Sequence, residues 1–456
     1  MATIGPASSD QKMQAQMIQS GMDVARFNFS YGKHEEFKFW SKNIRTFSEK
    51  LNKNVAIMAD LQGPRIRIRN LDQSFRLQSG PEIKIGIGAD VDLEIDRPEI
   101  IPHLKISERL LMSDGMINLR ILAKEKNSIT CQVLTGGEIK SNSSINFPDS
   151  NLHLPVLSEK DKQDLRFALE IAVDFVALSF VQKASDLEYL RKYMEQISGR
   201  KILPKIIAKI ETDEAIADLD EILKIADGII VARGDLGIEI GREKIPMLQK
   251  DIIKKALVLS KPTIVATQML ASMAVDPLPT RAEVSDVANA VLDGADSVML
   301  SNETTIGSYP LEAVKEMKKI IDSTWGENLN LDTESFVNEI DYLALSACEL
   351  ATKIEAKKFL AITKSGFTAK MLAKHRPRQR IIALTSSDAL AKELAPFYGI
   401  EAFVLPSFND AEEILNRSID FIKKQKLVKR RDKVVLLAGH PAQIPSQTNL
   451  LKVITI

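Results

Sequence analysis

Eight short apolar runs, each followed by a stretch with the 3.6-residue spacing of an amphipathic helix, constrain this chain more than any other feature. The runs are Ala2–Gly5, Val24–Phe29, Val55–Leu61, Phe175–Phe180, Ile206–Ile210, Gly228–Ala232, Thr263–Thr267 and Ser297–Leu300. Strands that read as nearly continuous apolar segments are those covered on both faces, as in parallel sheets whose crossovers are helices. Eight such βα units predict an α/β fold with a (β/α)8 barrel, whose reactive residues gather at the carboxyl ends of the strands. Polar residues do fall there: Asn28, Asp60, Ser179, Glu211, Asp235, Gln268 and Glu303.

The alternation stops between the third and fourth runs. From about Arg69 to Leu154 the chain turns to short period-two segments, Glu82–Ile87, Met116–Leu122 and Ser128–Leu134, punctuated by Gly, Asp and Asn. That texture predicts a small inserted β-barrel lid. Helix resumes after Ser158, an N-cap with Asp161 three residues on. A third region alternates helix and strand again, with Lys358–Thr363, Arg380–Thr385 and Lys433–Ala438 as buried parallel strands and Thr448–Ile456 as a closing strand. The polar segment Glu327–Glu334 marks the boundary before it. The expected division is a (β/α)8 TIM barrel at 1–68 and 155–330, the lid at 69–154, and a C-terminal α/β regulatory domain at 335–456, in keeping with a length of 456 residues.

Composition narrows the partners. Lysine plus arginine and aspartate plus glutamate number 61 each, so no global basic field draws the chain to nucleic acid or to an anionic membrane. The two cysteines, Cys131 and Cys348, are far apart and in no ligand-like spacing, which suits a reducing cytoplasm. The start lacks a basic segment followed by an apolar one, and no apolar run is long enough to span a bilayer. The histidines, His34 and His375 among them, show no metal spacing.

The chemistry concentrates in Lys205-Ile-Ile-Ala-Lys-Ile-Glu211 and Ala232-Arg-Gly-Asp-Leu-Gly237. Residues two apart on a strand share a face, so Lys209 and Glu211 project together and Asp235 can join them. Two carboxylates plus substrate oxygens suit Mg²⁺, with Mn²⁺ as the second fit. Gly234 and Gly237 leave room for a ligand beside the backbone. The amino end of the helix at Gly234 and Asp235 offers N–H groups to a substrate carboxylate. In the last region, Thr363-Lys-Ser-Gly-Phe-Thr368 opens a helix after a strand and can cradle a phosphate with backbone N–H groups, hydroxyls and Lys364. Thr363, Lys364, Ser365, Gly366 and Thr368 are the candidates there.

Read in order, Ala2-Thr-Ile-Gly-Pro-Ala-Ser8, Arg26-Phe-Asn-Phe-Ser30, Asp60-Leu-Gln-Gly-Pro64, Ala208-Lys-Ile-Glu211, Arg233-Gly-Asp-Leu-Gly237, Ala266-Thr-Gln-Met-Leu270 and Leu300-Ser-Asn-Glu-Thr304 resemble the pyruvate kinase family over nearly the whole chain. The resemblance implies transfer of the phosphoryl group of phosphoenolpyruvate to ADP, giving pyruvate and ATP, with Mg²⁺ on Glu211 and Asp235. It implies that Lys209 and Arg26 meet the phosphoryl group and that Lys209 also meets the forming enolate. It gives Thr267 a role in relaying a proton to that enolate, and Asn28 and Arg67 nucleotide contacts. It makes Thr363–Thr368 the loop for a phosphorylated effector and the assembly a homotetramer. Glu303 is a candidate partner of Lys209 or Arg26.

The chain departs from the family pattern at Asp60-Leu-Gln-Gly-Pro-Arg65. Many members have threonine and glutamate in place of Leu61 and Arg65, and there those residues accompany a bound K⁺ near Asn28, Ser30 and Asp60. Arg65 is expected to replace that ion, so that K⁺ is not required. Ser143 and Ser144 stand where a nucleotide-facing lysine is usual, with Lys140 close enough to serve, and Tyr31 stands where histidine is common. The opening strand is short for the family. Two other functions are compatible with the same cluster: a lyase that stabilises an enolate on Mg²⁺, against which Arg26-Phe-Asn-Phe-Ser30 and the lid argue, and a catalytically weak metabolite-binding relative.

Overall fold

The computed structural model describes residues 1–456 except 70, 72, 114, 142, 151, 153, 200–201, 327–337, 407–410 and 440–447, and the side chains of 411 and 412. The expected boundary Glu327–Glu334 thus lies outside the described residues. Eight parallel strands form the large sheet: β1 (Ala2–Ile4), β2 (Val24–Asn28), β3 (Ala56–Asp60), β4 (Phe175–Leu178), β5 (Lys205–Ile210), β6 (Gly228–Ala232), β7 (Thr263–Ala266) and β8 (Ser297–Met299). Each pairs with the next, and the ring closes where Ala2 bridges Leu300 and the Thr3 N–H donates to the Leu300 carbonyl at 3.0 Å.

The period of two sorts the side chains. Val24, Ala56, Met58, Phe175, Ala177, Ile207, Ile230, Ile264 and Met299 pack together as one cluster inside the ring. The intervening Phe27, Ile57, Ala59, Val176, Ile206, Ala208 and Ile210 pack with the outer helices. Two steps further along the inner face of β2, β3 and β5 come Arg26 and Asn28, then Asp60, then Lys209 and Glu211. The barrel interior is therefore apolar at its amino end and charged at its carboxyl end.

Between β3 and the helix Glu159–Glu170 the chain builds a closed barrel of seven short strands around Ile68, Ile85, Leu119, Ile121 and Ile129. The strand Ile66–Arg69 pairs with Ser144–Asn146 and Leu93–Ile95 within it. Residues 66–68, read from sequence as part of the large barrel, thus belong to the small one. Their Ile66 and Ile68 face its core, the alternation of a half-buried strand. On the return, Ser158 caps the next helix, accepting from the Asp161 N–H.

The last region is a five-stranded sheet in the order Ile400–Val404, Arg380–Thr385, Lys358–Ile362, Lys433–Ala438 and Leu450–Thr455, parallel except for the final edge strand. It docks on the amino-terminal end of the barrel. There the buried Arg376 donates to both Asp296 oxygens, at 3.0 and 2.8 Å, and to the Gly294 carbonyl, beneath the Tyr398 ring.

Candidate active site

At the carboxyl end of the barrel four ionisable side chains lock together below the surface. Arg26 donates through Nε to Asp60 Oδ2 at 2.7 Å and through Nη1 to the Thr3 hydroxyl at 2.9 Å. Lys209 Nζ lies 2.9 Å from Glu211 Oε1 and 3.4 Å from Asp60 Oδ1, and donates to Ser179 Oγ at 2.7 Å. Ser179 in turn donates to the Leu61 carbonyl at 2.8 Å. Glu211 Oε2 accepts the Phe180 N–H at 2.8 Å. Lys209 is 7% exposed and Glu211 and Asp60 at most 1%, so these charges survive through one another.

Their titration follows from that. Burial pushes Asp60 upward, but Lys209 and Arg26 overcome it and hold its carboxyl below the ordinary range. Burial likewise disfavours the Lys209 ammonium, yet Asp60 and Glu211 raise its pKa on balance. Glu211 goes the other way: burial, with Asp235 adding repulsion, outweighs Lys209 and Arg65 and raises it. A carboxylate in that position gains from a further cation.

Asp235 stands in the first turn of the helix Arg233–Ile240, which follows β6 directly. Arg65 donates to its Oδ2 at 2.7 Å, with the guanidinium 4.9 Å from the centre of the Phe180 ring. Burial opposes the Arg65 charge, and Asp235 foremost, then Glu211, Tyr31 and Asp60, more than restore it. Arg65 precedes the strand Ile66–Arg69 and turns to Asp235. Arg67 instead lies with Tyr31, its guanidinium 5.9 Å from the ring centre, joining lid to barrel.

Thr267 and Gln268 follow β7 with φ of 71° and 54°, two consecutive side-chain-bearing residues in the left-handed region, where a β-branched residue is an outlier. The Thr267 hydroxyl donates to its own strand's Ala266 carbonyl at 2.6 Å and accepts the Gly234 N–H at 2.9 Å. The Gly234 donor, expected to be open to a substrate carboxylate, is therefore already engaged. In the same first turn the Asp235 N–H has no partner among the described residues.

Other expectations separate. Glu303 does not reach Lys209 or Arg26. Buried at 2% exposure, it accepts the Leu270 N–H at 3.0 Å and the Ser301 N–H at 2.7 Å, fixing the loops after β7 and β8. Asn28 Oδ1 accepts the Ser30 N–H at 3.1 Å, so that pair is turned toward its own loop. In the lid, the exposed Lys140 uses its N–H on Ser143 Oγ. The Thr363–Thr368 loop lies in the last region: Thr363 Oγ1 accepts the Gly366 N–H at 2.9 Å, Gly366 has φ 82°, and Thr368 pairs with Thr448 at 2.8 Å. Thr3, whose hydroxyl ties Arg26 in place, was missing from the sequence-derived site, and Ser179, expected at the carboxyl end of its strand, had been given no role although it holds Lys209. Arg233 was missing as well.

No group of three or more His, Cys, Asp or Glu side chains gathers as a metal cage among the described residues. A pair is present, and it fits a divalent ion that takes its other ligands from substrate and water. Glu211 Oε1 is fully buried yet takes no well-formed hydrogen bond, and Asp235 Oδ1 accepts none among the described residues.

Fold and site together define a lidded (β/α)8 barrel enzyme with a cluster of paired carboxylates and cations at the carboxyl end of its strands. The barrel-domain model of pyruvate kinase matches residues 1–314 and the pyruvate kinase alpha/beta-domain model matches 341–454. Pyruvate kinase of Geobacillus stearothermophilus is 40% identical over 466 residues, covering 99% of this chain and 79% of the relative. That of Clostridium acetobutylicum is 37% identical over 464 residues, covering 99% and 98%. The chain belongs to the pyruvate kinase family.

Proposed function

We propose that the chain transfers the phosphoryl group of phosphoenolpyruvate to ADP, giving pyruvate and ATP as the closing step of glycolysis. The observation that carries this is the buried Arg26–Asp60–Lys209–Glu211 network at the carboxyl end of the barrel, with Asp235 beside it. Phosphoryl transfer needs little covalent help and much fixed positive charge, which this arrangement holds ready.

Glu211 and Asp235 are the residues to hold Mg²⁺, or Mn²⁺ in its place. Held by those carboxylates, such an ion would supply Lewis-acid neutralisation of charge on substrate oxygens. Arg26 and Lys209 meet the transferring phosphoryl group. As the bridging P–O bond breaks, its electron pair passes to the enolate oxygen, which Lys209 stabilises, and the phosphorus takes a terminal oxygen of ADP. A proton then reaches C3 of the enolate by way of the Thr267 hydroxyl. The substrate carboxylate falls to the Asp235 N–H, or to Gly234 if Thr267 yields it. Arg67, with Tyr31 beside it, and Asn28 are proposed to meet the nucleotide phosphates. Arg65 takes over the electrostatic part of a monovalent cation, since its charge is already felt by Asp235, Glu211 and Asp60, so K⁺ is not required.

The loop Thr363–Thr368 is proposed as a site for a phosphorylated effector. Exposed Val275, Leu278 and Ile306 suit burial against other copies in a homotetramer. No helix among the described residues is long and apolar enough to cross a membrane, and a cytoplasmic location is proposed. The test is pyruvate formation from phosphoenolpyruvate, ADP and Mg²⁺ by the wild type and by Lys209→Met. Rapid ADP-dependent turnover lost in the variant supports the reading. Absence of turnover in intact wild type overturns it.

A further inference from the structure

The left-handed turn at Thr267–Gln268 is a conformation that its residues do not favour, so something outside the turn must hold it. The contacts identify what does. Arg233 Nη2 donates to the Thr267 carbonyl at 2.7 Å, lies 3.5 Å from the Gln268 carbonyl and touches Met269 Sδ at 2.9 Å. Its Nη1 donates to Asp286 Oδ1 at 2.7 Å, on the helix Arg281–Leu292. The next residue, Gly234, gives its N–H to the Thr267 hydroxyl. Two successive residues of one helix amino end thus grip Thr267 from both sides, by its carbonyl and by its hydroxyl. Arg233 keeps an ionised side chain at 13% exposure to do so.

We propose that Arg233 is a positioning residue for Thr267: its guanidinium, anchored by Asp286, holds the left-handed turn that sets the Thr267 hydroxyl against the helix carrying Asp235. The inference rests on the proton-relay role proposed for Thr267. A planar fork is required, because three separate acceptors on the turn and one carboxylate lie around one guanidinium, and a point-like ammonium cannot serve them together. Displacing a reacting group by about 1 Å costs on the order of 100-fold in rate.

The test is a double-mutant cycle on kcat in the full-length protein. Arg233→Met is expected to lower kcat roughly 30-fold with the KM for phosphoenolpyruvate moved less than about twofold, and to cost under about threefold in a Thr267→Ala background. Asp286→Asn, at a partly exposed position, loosens the same clamp without removing it and is expected to lower kcat roughly fivefold, again only when Thr267 is present. It decides the matter if Arg233→Met does not fold. An impaired Thr267→Ala with equal losses for Arg233→Met, or for Asp286→Asn, in both backgrounds overturns the clamp and leaves the relay standing. A Thr267→Ala variant at wild-type rate overturns the relay itself, and the clamp with it.

Discussion

Arg65 carries the most distinctive expectation, since the family pattern places a carboxylate where this chain has a guanidinium. Arg65 donates to Asp235 at 2.7 Å and is stabilised by Glu211 and Asp60 as well. A potassium ion about 4 Å from that guanidinium would be repelled by about 4 kcal/mol at an effective dielectric of about 20. That corresponds to roughly a thousandfold loss of ion affinity. Leu61 also offers no side-chain oxygen. Pyruvate formation in tetramethylammonium buffer, with and without potassium chloride at matched ionic strength, is therefore expected to differ by less than about twofold in the wild type. Arg65→Gln removes both the repulsion and the fixed charge. Its rate without potassium is expected to fall about 100-fold, as for loss of one charge-stabilising donor, and to recover at least about tenfold when potassium is added. Because Asp235 loses its guanidinium partner, less Mg²⁺ should half-saturate the variant. A wild-type rate that climbs about tenfold or more with potassium, or a variant that ignores it, refutes the reasoning.

Lys209→Met leaves Glu211 and Asp60 buried without their shared cation, so a loss of at least about 1,000-fold in turnover is expected. Thermal or urea unfolding should show a destabilisation of about 3–5 kcal/mol alongside it. Glu239, on the Asp235 helix, is raised to about 7 by burial and by Glu214, with Asn146 of the lid opposing. Because its folded pKa lies above the ordinary 4.5, the folded state binds the extra proton, and stability falls as pH rises from about 4.5 to about 7. Glu239→Gln should flatten that segment of the stability–pH curve and stabilise the protein above pH 7 by about 2 kcal/mol. His375 is lowered to about 4, chiefly by burial, so the unfolded chain takes up its proton first and stability is lost as pH falls from about 6.5 to about 4. His375→Phe should remove about 3 kcal/mol of that acid-side slope in equilibrium unfolding.

Sequence alternation made the barrel legible because each strand is buried on both faces, and several end in or run straight into a polar residue, as at Asn28, Asp60, Ser179, Glu211 and Thr267. All eight strands lie within two residues of their expected ends. Lys209 and Glu211 could be placed on one face from spacing alone, and the network bears that pairing out. The partners of Ser179 and Thr3 were not legible, because they are set by strand register. Thr3 lies opposite Arg26, and Ala177 opposite Asp60 brings Ser179 to Lys209. No local pattern encodes that register. Spacing leaves Glu303 open between a partner of Lys209 or Arg26 and a structural role for a similar reason: an acid at a strand end looks the same whether it faces a lysine or two loop N–H groups. The boundary at 68 cuts through the strand Ile66–Arg69, leaving its first three residues in the wrong barrel, because its alternation starts before the composition changes.

The central claim is that Glu211 and Asp235 jointly hold a divalent ion that the substrate completes. Binding of Mn²⁺, followed by electron paramagnetic resonance with and without phosphoenolpyruvate, tests it without relying on turnover. Affinity is expected to rise at least about tenfold when phosphoenolpyruvate is present, and both Glu211→Gln and Asp235→Asn should abolish that rise. Substrate-enhanced Mn²⁺ binding that survives in either variant would contradict the account.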